Sequence, residues 1–370
     1  MPSLTVPPVP HYPIAPPTKE HLAYADLSVI DLAKAGDAEG RAELAAQVCA
    51  AMQTHGFFYV INHGYTPEQT ARMFDIADIP FSCVTPEDKH IYTAKMKEVG
   101  SYQGYKPRQY WFVFDPIFSY LGFTRTANIV NRDVTKRQHP EAVRPFLPEI
   151  EAFARHTHFN VLQPVLRLLA IGLGLPEDEL VDLHGFSSVG ETYDRILTLN
   201  SYPRSQDDEA KTKNVWLKGH TDFGTITVLY SQPVAALQIL GRDGKWLWVK
   251  HIENALVINT GDAMELLSGG YYKGTIHRVV QPPVDQQHLT RLGLFYFAMT
   301  DDAVKLAPLA HSPVLQQVGI ERRCADENAP TMEAWRRART SAYGQSELKA
   351  KEGGAVEEEV INGVLVKHYN

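Results

Sequence analysis

The sequence predicts a mixed α/β protein with a mainly β core, a double-sheet jelly roll flanked by N-terminal and C-terminal helices. From Thr192 onward the chain consists of short runs of β-forming residues separated by Gly, Pro, Asn and Asp. Such a succession is typical of a jelly roll. Before that point the apolar residues recur mainly at helical spacing, which predicts helices packed around the core.

The N-terminal half divides into an arm and a helical part. Residues 1–20 contain too many prolines for regular structure and are expected to form an extended arm. Residues 21–185 are expected to form a helical part that packs on the core. Its predicted elements are a helix at 41–54, a buried strand at 56–61, a helical stretch at 66–92 and the longest helix at 145–173.

The second half contains the predicted jelly-roll catalytic core, residues 186–312, followed by a C-terminal helical extension, residues 313–370. The predicted strands are 196–202, 225–230, 246–249, 256–259, 277–280 and 292–298. In the extension, 331–348 is rich in Arg and Glu and predicts a helix. We expect all these parts to form one compact catalytic unit.

The composition excludes several classes of protein. With 44% hydrophobic and 21% charged residues the chain is typical of globular proteins, and its net charge of −7 has no long single-sign blocks, so no nucleic-acid partner is predicted. Three scattered cysteines are too few for a disulfide framework and indicate a reducing, cytoplasmic setting. No apolar run is long enough for a membrane helix, so no membrane partner is predicted. The sequence leaves the oligomeric state open.

His220 and Asp222 are the first candidate metal ligands. Residues at i and i+2 in an extended chain point to the same side, so this imidazole and this carboxylate can share one ion. Taken alone, a His-x-Asp triplet is more often a surface turn than a metal site, so a third ligand is needed.

His277 is the candidate third ligand because it begins another β-run, several strands later, and a jelly roll can return that run to the same end of the barrel. Two imidazoles and one carboxylate on one face of an octahedral ion leave three positions open. This arrangement suits iron(II) that must bind an oxidisable acid and dioxygen together, whereas zinc favours a four-coordinate site.

Arg291 is the candidate anchor for an acidic co-substrate. A dicarboxylate that chelates iron at one end has a second carboxylate at the other, and a guanidinium can bind that group through two parallel hydrogen bonds. Arg291 immediately precedes the predicted strand 292–298. The alternative role for an arginine at this position is a surface salt bridge.

Several motifs in one order resemble the plant and fungal iron(II) and 2-oxoglutarate dioxygenases of the isopenicillin N synthase-like family. The resemblance covers roughly residues 25–300. The motifs are GFFYVINHG at 56–64, NSYP at 200–203, GHTD at 219–222, NTGDAMELLSGG at 259–270 and GTIHRV at 274–279.

The resemblance implies a double-stranded β-helix core that uses Fe(II), 2-oxoglutarate and O2. It further implies that His220, Asp222 and His277 hold the iron and that Arg291 binds the far carboxylate of 2-oxoglutarate. Tyr202, in the family's Asn-x-Tyr segment, would donate a further hydrogen bond to the co-substrate. The alternative for Tyr202 is a half-buried strand tyrosine.

Gly293 departs from the family pattern, which has Arg-x-Ser where this chain has Arg291-Leu292-Gly293. Strand alternation puts position 293 on the same face as Arg291, so the hydroxyl that would share the carboxylate is absent. Losing one hydrogen bond to a charged group costs about 1.5 to 3 kcal/mol unless water or Tyr202 replaces it. We therefore expect weaker or more hydrated binding of the co-substrate.

The predicted function is iron(II)- and 2-oxoglutarate-dependent oxidation of a small, partly hydrophobic metabolite by hydroxylation, desaturation or ring formation. The resemblance points to specialised metabolism. Phe295, on the same strand face as Arg291, is a candidate pocket residue whose alternative role is core packing. Two other hypotheses are an iron-dependent oxidase of the same fold that uses no 2-oxoglutarate, and a jelly-roll binding protein without catalysis.

Overall fold

The computed structural model of the protein contains two β-sheets that together supply fifteen strands among the described residues. The described residues are 7–100, 102–106, 125–130, 138–186, 193–199, 209, 213–342, 349–350, 356–361 and 364–369. In chain order the strands are β1 (Val29–Asp31), β2 (Phe57–Ile61), β3 (Gly104–Lys106), β4 (Arg125–Val130), β5 (Tyr193–Leu199), β6 (Val215–His220), β7 (Ile226–Tyr230), β8 (Leu237–Leu240), β9 (Trp246–Trp248), β10 (Leu256–Thr260), β11 (His277–Val280), β12 (Arg291–Ala298), β13 (Lys349–Ala350), β14 (Val356–Ile361) and β15 (Val364–Tyr369).

The two sheets exchange strands in the manner of a jelly roll. The eight-stranded sheet has the order β1-β2-β10-β7-β12-β5-β4-β3, and the seven-stranded sheet has the order β13-β14-β15-β6-β11-β8-β9. From β6 to β12 the chain passes repeatedly from one sheet to the other, as it does in double-sheet jelly rolls. The predicted fold class, mixed α/β with a mainly β core and flanking helices, is confirmed.

Strands β2, β7 and β10 of the eight-stranded sheet are buried on both faces, because their side chains alternate between two cores. Phe57, Tyr59 and Leu229 point between the sheets, where they meet Leu237 and Ile239 of the seven-stranded sheet. Their chain neighbours, such as Phe58 and Val228, point the other way into a larger core shared with the helices. Strands buried on both faces are continuous apolar runs, which is the pattern at 56–61 that predicted a buried strand.

The described residues form ten α-helices, of which the first, second, fifth and sixth pack on the outer face of the eight-stranded sheet. They are α1 (Ala38–Thr54), α2 (Pro67–Ser82), α3 (Pro86–Ile91), α4 (Met96–Val99), α5 (Leu147–His156), α6 (Gln163–Gly172), α7 (Glu179–Asp182), α8 (Asp262–Leu267), α9 (Pro313–Val318) and α10 (Met332–Ala342). A π-helical segment, Thr157–Leu162, joins α5 and α6 into the long helix predicted over 145–173. Among the described residues, no helix has the length and apolar composition needed to cross a bilayer.

Local capping explains where the first helices begin and end. The Asp37 side chain accepts the Gly40 amide at the start of α1, and α1 ends just before Gly56, which has a φ of +68°. Thr66 and Gln69 form a capping box at the start of α2. A second cap, Thr85, starts α3, so the helical stretch predicted over 66–92 is two helices.

The C-terminal extension differs from its prediction. It was expected to be helical over 313–370, and α9 and α10 are indeed present, but strands β13, β14 and β15 follow them. Tyr369 of β15 pairs with Gly219 of β6, so the end of the chain extends the seven-stranded sheet. Valine, isoleucine and leucine in β14 and β15 favour strand over helix, because β-branched side chains lose rotamer freedom in a helix.

Candidate metal centre

Two neighbouring strands of the seven-stranded sheet bring the candidate imidazoles together. His220 ends β6 and His277 begins β11, and these two residues lie directly opposite each other in the antiparallel register. Their ring centroids are 4.5 Å apart. Asp222 lies two residues beyond His220, and its Oδ1 is 3.8 Å from the Nε2 of each histidine. One potential ligand atom from each residue therefore lies within 4.8 Å of the other two.

Hydrogen bonds fix which nitrogen of each histidine carries the proton. The Nδ1 of His220 is 2.8 Å from the carbonyl oxygen of Lys218, and the Nδ1 of His277 is 3.0 Å from that of Thr275. A carbonyl only accepts, so each Nδ1 carries the proton and donates it. Each Nε2 lies 3.8 Å from Asp222 Oδ1, on the side of the ring that binds the ion in metal-binding histidines.

The Asp222 carboxylate has one occupied oxygen and one free oxygen. Its Oδ2 accepts hydrogen bonds from the Thr227 hydroxyl at 2.6 Å and the Asn259 amide at 2.9 Å. Burial alone raises the pKa of Asp222, but His277, His220 and these two hydrogen bonds outweigh it, so the net pKa lies below its usual range. Asp222 is therefore ionised, with Oδ1 facing the two imidazoles.

Thr227 and Asn259 were not predicted as site residues. They lie on β7 and β10 of the eight-stranded sheet, where they pair directly with each other. Asn259 lies in the motif NTGDAMELLSGG, which carries part of the family resemblance. The motif does not by itself indicate that Asn259 contacts Asp222.

The backbone around the carboxylate is tightly packed. The Asp262 amide donates to the Asp222 carbonyl oxygen at 2.7 Å. A Cβ at Gly261 would lie 2.4 Å from the Gly224 oxygen and 2.6 Å from the Asp222 oxygen, so only glycine allows this approach. Asp262 and Glu265 are ion-paired with arginines: Asp262 with Arg339 and Arg323, and Glu265 with Arg323.

Arg291 is a buried cation that faces a cavity. Its residue is 5% exposed, and its Nη1 has no hydrogen-bond partner among the described residues. Burial lowers the pKa of Arg291 to about 10, so the side chain remains charged at neutral pH. It lines a cavity of about 120 Å³ together with Leu229, Leu237 and Val257. A buried guanidinium with an unsatisfied nitrogen fits a carboxylate ligand.

The two remaining predicted site residues are Tyr202 and Phe295. Tyr202 lies outside the described residues. Phe295 is partly buried between the sheets, where it pairs with Leu229 and packs near Trp216 and Val279. Its ring stacks on Phe297 with centroids 5.5 Å apart. These contacts are compatible with both roles predicted for Phe295.

The donor set fits iron(II). Two neutral imidazole nitrogens and one carboxylate oxygen on one side of an ion are the facial arrangement of non-haem iron oxygenases, which leaves the opposite positions for other ligands. All three side chains are oriented by hydrogen bonds to backbone or side-chain groups, which a metal site requires for affinity.

Two family models match the chain. The model described as the 2OG-Fe(II) oxygenase superfamily matches residues 193–300, which include the three candidate ligands and Arg291. The model described as the N-terminal region of a non-haem dioxygenase in morphine synthesis matches residues 27–112.

Curated relatives are plant oxygenases. Scopoletin 8-hydroxylase of Arabidopsis thaliana is 27% identical over 309 residues, covering 83% of this chain and 79% of that protein. Naringenin,2-oxoglutarate 3-dioxygenase of the same plant is 28% identical over 263 residues, covering 69% of this chain and 68% of that protein.

Solved structures share the fold. A full-length Neurospora crassa protein, solved in complex with alpha-KG, superposes with a TM-score of 0.73 at 22% identity, covering 88% of this chain and 100% of that chain. JOX2, solved with 2OG, Fe and JA, superposes with a TM-score of 0.60 at 22% identity, covering 84% of this chain and 88% of that chain.

Proposed function

We propose that this chain, which belongs to the 2OG-Fe(II) oxygenase superfamily, binds iron(II) through His220, Asp222 and His277 and oxidises a small, partly hydrophobic metabolite. The proposal depends chiefly on one observation: three ligand atoms from separate parts of the chain lie within 4.8 Å of one another. The other polar atom of each side chain is hydrogen-bonded, which orients the three side chains.

The chemistry divides between the ion and the protein. Bound Fe(II), together with 2-oxoglutarate, would activate dioxygen for the oxidation of an unactivated C–H bond, and the 2-oxoglutarate would be decarboxylated to succinate. His220 and His277 offer neutral nitrogen donors, and Asp222 contributes one negative charge. Thr227 and Asn259 keep the second oxygen of Asp222 occupied, so the carboxylate binds through Oδ1.

Arg291 is proposed to bind the far carboxylate of 2-oxoglutarate. The support is its burial, its Nη1 without a hydrogen-bond partner among the described residues and the cavity beside it, which both apolar and polar side chains line. In that environment the ion pair is poorly screened, and the guanidinium can orient the co-substrate through two hydrogen bonds. Tyr202 is proposed as a further donor on the family resemblance.

The substrate is proposed to be a specialised metabolite, changed by hydroxylation, desaturation or ring formation. The support is that the relatives named above include enzymes of scopoletin and naringenin. Phe295 and Phe297 supply apolar surface between the sheets and are proposed to limit the pocket on the β12 side.

The compartment is proposed to be the cytoplasm. Cys49, Cys83 and Cys324 are free thiols, which suits a reducing setting.

Ligand replacement tests the proposal. Purified apoprotein is titrated anaerobically with Fe(II), and succinate release is then measured with 2-oxoglutarate and oxygen. We expect unmodified protein to take up one Fe(II), and His220→Ala and Asp222→Ala to lose iron-dependent turnover by at least about 100-fold. His288→Ala, at an exposed histidine, is the control and should match the unmodified protein.

The alternatives have distinct outcomes. Full iron-dependent turnover by His220→Ala or Asp222→Ala would overturn the assignment. Oxidised product without succinate would identify an oxidase that draws all electrons from its own substrate. No uptake of Fe(II) by unmodified protein would instead indicate a binding protein.

A further inference from the structure

We infer that Trp335 and Arg339 of helix α10 are positioning residues, which hold the segment Thr221–Phe223 so that Asp222 faces the two imidazoles. This inference rests on the proposed function, because it concerns the affinity of the same site for its ion. Neither residue contacts the candidate ligand atoms, and neither lies within a motif of the sequence analysis.

Trp335 holds the C-terminal side of Asp222. The side chain is fully buried, and its indole Nε1 donates to the carbonyl oxygen of Phe223 at 3.0 Å. A buried indole N–H without a partner is costly, so this bond fixes the ring and the Phe223 carbonyl together.

Arg339 holds the N-terminal side, one helical turn further along α10. Its Nη1 donates to Asp262 Oδ2 at 2.6 Å, and its Nη2 lies 3.5 Å from the carbonyl oxygen of Thr221. Its guanidinium carbon also lies 5.3 Å from the centre of the Trp335 ring. The side chains of Arg339 and Asp262 are 10% and 2% exposed, so water screens their ion pair weakly.

Three successive carbonyl groups are thereby held by three separate donors. Thr221 is approached by Arg339, Asp222 accepts from the Asp262 amide, and Phe223 accepts from Trp335. The Arg339–Asp262 ion pair joins α10 to the start of α8, which supplies that amide. A carboxylate that must meet two imidazoles tolerates displacement of only about 0.5 Å, so this bracing bears directly on metal affinity.

Helix α10 has its own anchors and is therefore a fixed support. Arg336 is buried, pairs with Asp302 at 3.0 Å and also donates to the Gly100 carbonyl oxygen. Met332 and Trp335 pack in an apolar cluster with Leu267 and Met299. The Arg336 contacts do not involve the Thr221–Phe223 segment, whereas Phe223 packs against the apolar cluster.

Two substitutions separate positioning from simple stability. Trp335→Phe keeps an aromatic ring and deletes the donor, and Arg339→Met deletes the ion pair, while Arg339→Lys keeps the charge and tests for partial rescue. Tyr105→Phe is the matched control. Tyr105 lies on the edge strand β3, and the substitution deletes a buried hydroxyl that donates to the carbonyl oxygen of Pro80 in α2. Arg337→Met removes an exposed arginine of the same helix.

The measurements are Co(II) affinity of the apoprotein by calorimetry, the ligand-field absorption spectrum of the Co(II) protein, and the melting temperature without metal. We expect Trp335→Phe and Arg339→Met to weaken Co(II) binding about 10- to 100-fold and to alter the spectrum. Arg339→Lys should recover part of the affinity. Both controls should bind Co(II) as the unmodified protein does.

The two levels of the hypothesis fail differently. If unmodified protein binds no Co(II) or Fe(II), the proposed function is wrong. If it binds Co(II), and Trp335→Phe and Arg339→Met bind it equally well with an unchanged spectrum, whatever their melting temperatures, the positioning role alone is wrong.

Discussion

Gly293 is the residue at which the chain departs from its family pattern, and it lies on β12 two positions after the buried cation of Arg291. Side chains two apart on a strand share a face, so a hydroxyl at 293 would lie near the carboxylate that we assign to Arg291. Family members have serine at this position, so a serine at 293 should strengthen the binding of 2-oxoglutarate.

Gly293→Ser is therefore expected to lower the KM for 2-oxoglutarate about tenfold, the equivalent of about 1.4 kcal/mol for one hydrogen bond to a charged group. The KM is measured from succinate release at saturating iron. Gly36→Ser is the control, because a Cβ at Gly36 meets nothing within 4 Å. An unchanged or raised KM for Gly293→Ser would show that the carboxylate does not lie beside position 293.

The sequence predicted individual site residues only where their position along a strand indicated the direction of the side chain. The His220 and Asp222 pair follows from strand alternation, and Arg291 follows from its place at a strand start. Thr227 and Asn259 could not be found in this way, because their contact with Asp222 depends on the register between β7 and β10. Register between distant strands leaves no local pattern.

The long helix that covers the eight-stranded sheet contains a buried histidine, and another lies beyond its end. His158 lies in its π-helical segment and bonds through Nδ1 to the Tyr296 hydroxyl at 2.8 Å. His184, a little further along the chain, bonds to the Leu180 carbonyl oxygen and to the Thr225 hydroxyl. Burial lowers the pKa of each to about 4, and for His158 the charge of His184 adds to the effect.

These pKa values predict a loss of stability in acid. An unfolded histidine has a pKa of about 6.5, so between pH 6.5 and 4 the unfolded chain binds more protons than the folded chain. The free energy of unfolding therefore falls as the pH drops through this window, by about 3 kcal/mol for each histidine at its lower end. Above pH 6.5 these two groups contribute no pH dependence.

Urea unfolding of the apoprotein at pH 7, 6 and 5 measures this effect. His158→Gln should make the pH dependence shallower, since one titrating group is removed, while the other histidines whose pKa burial lowers remain: His63, His156, His184 and His251. His288→Gln, at an exposed histidine, is the control and should leave the dependence unchanged. Equal slopes for unmodified protein and His158→Gln would rule out His158 as a source.

Elements with capping signals were predicted better than elements without them. Thr66 and Gly56 mark helix boundaries in the sequence and in the structure, whereas the cap at Thr85 divides a stretch that was predicted as continuous. Strand β6 was missed because Lys218 and Gly219 interrupt its apolar pattern. In the C-terminal extension, an Asn-Gly dipeptide stands at 362–363 in the sequence, between β14 and β15, and this dipeptide is typical of a hairpin. The prediction followed the charged residues before it, which favoured a helix.

The N-terminal arm links distant parts of the whole molecule. Arg72 of α2 donates to the Pro7 carbonyl oxygen at 2.8 Å, and the Tyr12 hydroxyl donates to the Thr290 carbonyl oxygen at 3.1 Å. Thr18 donates to Asp285 at 2.8 Å. The arm thus spans from α2 to the residue before Arg291 and forms one wall of a cavity of about 310 Å³.

Deletion of residues 1–19 is expected to raise the KM for 2-oxoglutarate by about 5- to 10-fold, because loss of the Tyr12 bond exposes the end of β12 where Arg291 begins. Co(II) affinity should stay the same, since the hydrogen bonds of the described part of the arm, residues 7–20, go to groups other than the candidate ligands. Tyr12→Phe, which deletes only the hydroxyl, should reproduce part of the effect. A parallel loss of Co(II) affinity would instead indicate general destabilisation.

At the scale of the molecule the sequence was most informative. The fold class and the oxygenase family were both predicted, because the order of several motifs and the succession of short strands extend over most of the chain. The route by which the C-terminal segment joins the seven-stranded sheet was not predicted. That route depends on a single pairing, between Tyr369 and Gly219, which has no signature in either segment.

The two imidazoles belong to the seven-stranded sheet, whereas the residues that support the Asp222 carboxylate belong to the eight-stranded sheet. A bound cation would therefore act as a cross-link between the halves of the barrel. Chains synthesised during iron shortage would lack that cross-link and would open more often to proteases. We expect the iron supply of the cell to govern how long each molecule survives, as well as whether it reacts.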